Sequence, residues 1–183
     1  MRKNILLLTI LLLVAELPAY SADVSDEPAP GISLAGELME EDGKTFLLVS
    51  INVNDVSGLN AACVDVEYET EKLELVNVLD DVDIETDGGQ NFLGSNILSV
   101  HAITELGVSE YAVSKKWNKG VAPAGSEGSG AIGLLVFRML KSEETTFAIR
   151  EETLELLKEI DVSIPEYNED FVIEGLAFDP NAE

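Results

Sequence analysis

This 183-residue chain contains one cysteine, one histidine and one tryptophan, and each scarcity removes a class of chemistry. A lone Cys63 cannot close an internal disulfide, so an exported domain of this kind must be stabilised by its core. One histidine and one cysteine cannot assemble a zinc site of the usual nitrogen and sulfur type. There is no G-x-S-x-G elbow, phosphate-binding loop or dinucleotide fingerprint. Basic residues are also scarce, 11 against 35 acidic, for a net charge of −24. Such a surface repels nucleic acid and anionic membranes, which excludes both as partners. Aromatics make up only 6% of the chain, where a glycan platform needs several for stacking. Carboxylate pairs for glycoside hydrolysis arise by chance among 35 acids, and nothing marks one pair as special. The chemistry that remains is binding rather than catalysis, with no required cofactor.

The leading stretch reads as an export signal. Arg2 and Lys3 precede an apolar run from Ile5 to Ala15, broken only by Thr9. Pro18 to Ala22 then offers small residues for a signal peptidase. The run is well short of the ~20 residues needed to span a bilayer. No cysteine directly follows it, which excludes a lipid anchor at that point. Residues 1–21 are therefore expected to be a cleaved signal, 22–30 a flexible lead-in with two prolines, and 31–183 one domain. Removing Arg2, Lys3 and Glu16 leaves 9 basic against 34 acidic residues, or about −25. The expected location is extracellular or at the cell surface, with no membrane insertion after cleavage.

Turn signals recur through the mature chain at the spacing of an all-β domain. Thr45 to Val53 is rich in β-formers and stops at a turn-like stretch from Asn54 to Gly58. Ala62 to Tyr68 alternates cleanly, with Val64, Val66 and Tyr68 on one face and Cys63, Asp65 and Glu67 on the other. Asn96 to Ile103, Ala131 to Leu140, Thr145 to Arg150 and Phe171 to Phe178 are further strand candidates. Leu106 to Gly130 reads as a long connection. Leu154, Leu157 and Ile160 have helical spacing, so Glu152 to Ile160 is read as one short helix, with a strand as the alternative. Together these elements predict an antiparallel two-sheet jelly-roll sandwich of about nine strands.

Two segments carry a family resemblance. Val56 to Val76 (VSGLNAACVDVEYETEKLELV) and Gly128 to Leu140 (GSGAIGLLVFRML) resemble strand patterns of cohesin domains. In the first, Val64, Val66 and Tyr68 occupy inward positions before Leu73 and Leu75 restart a strand. In the second, Gly133, Leu135, Phe137 and Met139 do so. The resemblance spans about residues 31–183. It implies a nine-stranded jelly roll that binds a dockerin, a small calcium-loaded helical module, in polysaccharide-related assemblies. It also implies that the partner lies across the strands beginning at Ala62, Asn96 and Ala131.

Outward positions on those strands give the candidate face: Cys63, Asp65 and Glu67; Ile97, Ser99 and His101; and Ile132, Leu134 and Val136. The last strand is apolar on both faces, so these three residues are either exposed for a partner or covered by a loop. Tyr111 and Trp117 are the candidate contacts if the ligand is instead a polysaccharide. Asp80, Asp81, Asp83, Glu85 and Asp87 supply hard oxygen ligands that suit calcium, although their spacing is not that of an EF-hand. A self-associating envelope or matrix component is a third reading.

Overall fold

In the computed structural model, the residues described are 29–79, 91–116, 118–119, 121, 123–158 and 171–182. They form ten strands: β1 (Gly31–Glu41), β2 (Lys44–Tyr68), β3 (Leu73–Leu79), β4 (Ile97–Glu105), β5 (Val108–Lys115), β6 (Ser126–Met139), β7 (Thr145–Ile149), β8 (Glu155–Lys158), β9 (Val172–Glu174) and β10 (Leu176–Phe178). The expected all-β sandwich is present. One pair, β1 with β9, is parallel and the others are antiparallel.

The layers are organised by the 25-residue β2, which belongs to both. Its first half, residues 44–56, pairs with β1 on one side and β6 on the other. Adding β9 outside β1 and β3 outside β6 completes sheet one. Its second half, residues 59–68, pairs with β5 on one side and with β7 and β8 on the other. Adding β4 outside β5 and β10 outside β7 completes sheet two. The turn expected at Asn54 to Gly58 is thus a kink within one strand. Asp55 and Gly58 take positive φ values of 44° and 72° there, and the pairing with β6 slips at Val56. The Asp55 N–H donates to Ser129 Oγ at 2.9 Å, which compensates for the broken ladder. The last strand crosses between layers in the same way, with β9 in sheet one and β10 in sheet two. Gly175 forms the corner, where a Cβ would lie 2.4 Å from the Phe147 carbonyl oxygen.

Both inner faces supply one continuous core. Ile32, Leu47, Val49, Ile51, Leu135 and Phe137 of sheet one meet Val64, Val66, Tyr111, Val113 and Phe147 of sheet two. The Phe137 ring lies 4.9 Å from Tyr68 and 5.2 Å from Phe147, both tilted contacts across the layers. Val64 and Val66 are fully buried, so the period-two reading of that strand is correct in phase.

Two sequence expectations change here. Leu106 to Gly130 is not simply a connection, because it contains β5 at the centre of sheet two and the start of β6. The helix expected over Glu152 to Ile160 is absent from its described part, residues 152–158, where a single 3-10 turn at Glu151–Thr153 leads into β8; residues 159 and 160 lie outside the described residues. Leu154 and Leu156 are buried while Glu155 is exposed, a period of two along the edge of β2. Helical spacing of three leucine and isoleucine positions was outweighed by an unfilled edge beside β2.

Candidate binding face

The outer face of sheet two is assembled from residues that oppose one another across its strands, since paired residues share a face. On β2 these are Ala61, Cys63, Asp65 and Glu67, the complement of the buried Val64 and Val66. Ala112 of β5 lies opposite Cys63 on one side and Val100 of β4 on the other. Glu110 similarly lies between Asp65 and Ala102, and Ser114 between Ala61 and Leu98. On the opposite flank of β2, Glu155 of β8 pairs with Cys63 and Leu157 with Ala61.

This arrangement produces a flat surface of small side chains, Ala61, Ala102, Ala112 and Ser114, beside two exposed aliphatics. Leu98 is 58% and Val100 65% exposed. Glu67, Glu110 and Glu155 lie on the same face. Arg150 bonds to both Glu67 and Glu105, the latter at 2.9 Å. That ion pair holds the Glu105 carboxyl below its usual range and the guanidinium above its own.

Asp65 and Cys63 form the floor. Asp65 is only 6% exposed, and among the described residues its Oδ1 has no hydrogen-bond partner. Its main-chain oxygen accepts from the Arg150 N–H at 3.0 Å. The Cys63 thiol is pushed up to about 11, first by burial and then by Glu110, Asp65 and Glu155. The thiol is therefore a neutral, poorly nucleophilic surface element rather than a reactive one.

The other expected members of the face lie elsewhere. Ile132, Leu134 and Val136 belong to β6 in sheet one, so they do not share a surface with β4 and the second half of β2. Nor are they exposed. Ile132 is fully buried in the main core, because the ladder slips a residue between Ala131 and Gly133 and turns it inward. Leu134 and Val136, at 5% and 8% exposed, pack with Phe46, Leu48 and Ala131 on the outer side of sheet one. Ile97, Ser99 and His101 occupy the opposite phase of β4, across from Lys115, Val113 and Tyr111. Ile97 packs on the core, whereas His101 is exposed where the edge strand overhangs it.

Tyr111 is fully buried, and its hydroxyl donates to the Ile132 carbonyl at 2.8 Å, so it cannot stack on a glycan. Trp117 lies outside the described residues, as do Asp80, Asp81, Asp83, Glu85 and Asp87. Among the described residues no group of three or more His, Cys, Asp or Glu is arranged to hold a metal ion. Sequence reasoning missed Leu98, Val100, Ala102, Glu110 and Ala112. Leu98, Val100 and Ala102 give a period-two signal, but Ile97 and Ile103 give the opposite phase nearly equal weight.

No family model matches the chain, and no curated protein matches its sequence. Solved structures do match. The chain is 15% identical to the CaCohA2 module of Clostridium acetobutylicum in its solution structure, with a TM-score of 0.54, covering 84% of this chain and 94% of that one. CaCohA2 in complex with a point mutant of CaDoc0917 matches with the same TM-score and identity over 80% of this chain and 98% of that one. The sixth cohesin of Acetivibrio cellulolyticus scaffoldin B, in complex with a Cel5 dockerin mutant, is 12% identical with a TM-score of 0.54, over 80% and 96% of the two chains. At these identities the likeness establishes the fold, which is cohesin-like.

Proposed function

We propose that this chain is a non-catalytic binding module that engages a dockerin-type protein on the outer face of sheet two. The observation that carries the reading is the surface itself. Leu98 and Val100 stand exposed on the edge strand beside a floor of small residues, with Glu67, Glu110 and Glu155 on the neighbouring strands of the same face. An apolar strip with acids beside it suits a helical partner that brings its own aliphatic anchors and cationic edge. Two solved structures of this fold are complexes, CaCohA2 with CaDoc0917 and the sixth scaffoldin B cohesin with a Cel5 dockerin, which supports the partner class. In the same reading, residues 1–21 export the protein, and it acts outside the cell in polysaccharide-related assembly.

The test is isothermal titration of the domain (residues 22–183) against calcium-loaded dockerin domains from the same genome. Saturable one-to-one binding to at least one is expected. Absence of binding to every dockerin in that genome would overturn the partner class. Sequencing the N-terminus of the protein recovered from culture medium tests export, with a start at residue 22 or 23 expected.

A further inference from the structure

Among the described residues, the outermost strands of the two sheets differ in how they are defended against pairing with another chain. An unpaired edge is a template for a further strand, and native proteins blunt it with short strands, bulges or charge. The edges β8, β9 and β10 are only four, three and three residues long. The edge β3 carries Glu74, which bonds to Arg138, and a register slip at Val76. By contrast β4 runs nine residues, and among the described residues it pairs only with β5. From Ser95 to Thr104 it contains no acid, no base except His101, and no proline, in a chain of net charge −24. Leu98, Val100 and Ile103 on it are each more than half exposed.

Which backbone groups face the open edge follows from the ladder. The Lys116 N–H donates to the Asn96 oxygen at 2.9 Å, which makes 96 and 116 a hydrogen-bonded pair. Bonded and non-bonded pairs alternate in antiparallel ladders. Residues 98, 100 and 102 therefore bond to β5, and Ile97, Ser99, His101 and Ile103 direct their N–H and C=O groups outward.

We propose that β4 is a self-pairing edge that joins two copies of this chain about a two-fold axis at Val100. Antiparallel pairing in that register sets Ile97 against Ile103 and Ser99 against His101 of the second copy, as bonded pairs. It sets Leu98 against Ala102, and Val100 against Val100, as non-bonded pairs. Every cross-strand pair is then apolar with apolar or hydroxyl with imidazole, and all four outward-facing residues find partners. A second copy fits better than an unrelated strand because the sequence complements itself, and because the charge-free stretch keeps the acids of both copies out of the seam.

The seam also sets the strength. The seven paired residues at ~3.4 Å each span about 24 Å, and a sheet about 10 Å deep buries roughly 500 Å² in total. That is below the ~1,200 Å² of stable complexes, so the dimer is weak and concentration-dependent. Repulsion between two strongly acidic copies makes it tighter as salt is raised. The pairing continues sheet two into the second copy and leaves both outer faces open side by side, an arrangement that presents two partner sites at once.

The test uses the domain (residues 22–183) in a Cys63→Ala background with no partner present, so its outcome is independent of the proposed dockerin binding. A cysteine on the two-fold axis meets its own copy at disulfide distance. Val100→Cys is expected to form a covalent dimer on mild oxidation, at least tenfold faster than Ala102→Cys, whose symmetry mate lies four residues further along the seam. Adding Ser99→Pro removes one outward N–H and should abolish the cross-link while the circular dichroism melt keeps its shape. Sedimentation should show self-association rising between about 0.05 and 0.5 M NaCl, a range over which screening lengthens or shortens the reach of charge several-fold. Equal cross-linking at positions 100 and 102, or none at 100, would overturn the proposal.

Discussion

The two layers approach each other closely at Gly133, and the contact makes a quantitative prediction. Gly133 lies on the inner side of β6, directly beneath the buried ring of Tyr111 on β5. A Cβ at this position would meet three ring atoms of Tyr111 at 2.5, 2.8 and 3.0 Å. Ordinary carbon contacts begin near ~3.5 Å, so Gly133→Ala forces an overlap of about 1 Å. The ring has no free direction, because it is fully buried and its hydroxyl is tied to the Ile132 carbonyl. Overpacking of this kind costs about 1–3 kcal/mol. For a domain of this size, each kcal/mol lowers Tm by about 2–4 °C, so a fall of roughly 2–12 °C is expected in thermal melts. Tyr111→Leu removes the obstructing ring and should itself destabilise. In that background, however, the added alanine should cost much less, a non-additivity that a double-mutant cycle reads directly. If Gly133→Ala melts within about 1 °C of the parent, the two layers do not meet at Tyr111 and the sandwich geometry is wrong.

Three other outcomes follow from the face and its surroundings. At pH 8 an ordinary thiol with a pKa of ~8.5 is about a quarter ionised, whereas one near 11 is ionised in about one molecule in a thousand. Alkylation of Cys63 by iodoacetamide should thus run about a hundredfold slower than in the urea-unfolded chain, and faster in Glu110→Gln; equal rates would contradict the half-buried, acid-flanked position. Asp65→Val removes a buried carboxylate oxygen with no partner and should raise stability by about 1 kcal/mol in urea titrations, whereas marked destabilisation would reveal a structural role for the carboxylate. Glu69 is held below its usual range by Lys72 and by the Thr146 N–H. A carboxyl depressed on folding stabilises above its unfolded pKa and loses that contribution as pH falls through the folded one. Glu69→Gln should therefore flatten the loss of stability below about pH 4, and an unchanged profile would refute the assignment.

The sequence carried the fold further than the site. Alternation of Val64, Val66 and Tyr68 named the core face of that strand, and the glycine at 133 marked an inward position filled by the Tyr111 ring. Strand partners were not readable, because sheet membership is decided by contacts distant in sequence. Ala131 to Leu140 is apolar on both faces, which fits a partner surface or a covered one, and only the register slip at Ile132 and the packing of Phe46 and Leu48 decide for the second. On β4 both phases are apolar because an edge strand is half core and half surface, so the outward phase reads as Ile97, Ser99 and His101 although Leu98 and Val100 are the exposed ones. The central strand β5 (VSEYAVSK) was lost inside a polar-looking connection, since its small outer residues Ala112 and Ser114 mimic loop composition. Those same small residues make the surface flat.

The most direct test of the central claim is binding of a cognate dockerin domain to two charge-insertion variants measured in parallel. Ala112→Arg plants a long cation at the centre of the sheet-two face, between Cys63 and Val100. Glu37→Arg makes a similar change on the exposed surface of sheet one. Calorimetry should show at least a hundredfold weaker binding for Ala112→Arg and nearly unchanged binding for Glu37→Arg, with both variants melting like the parent. Retained affinity in Ala112→Arg, or loss confined to Glu37→Arg, would contradict the assignment of the face.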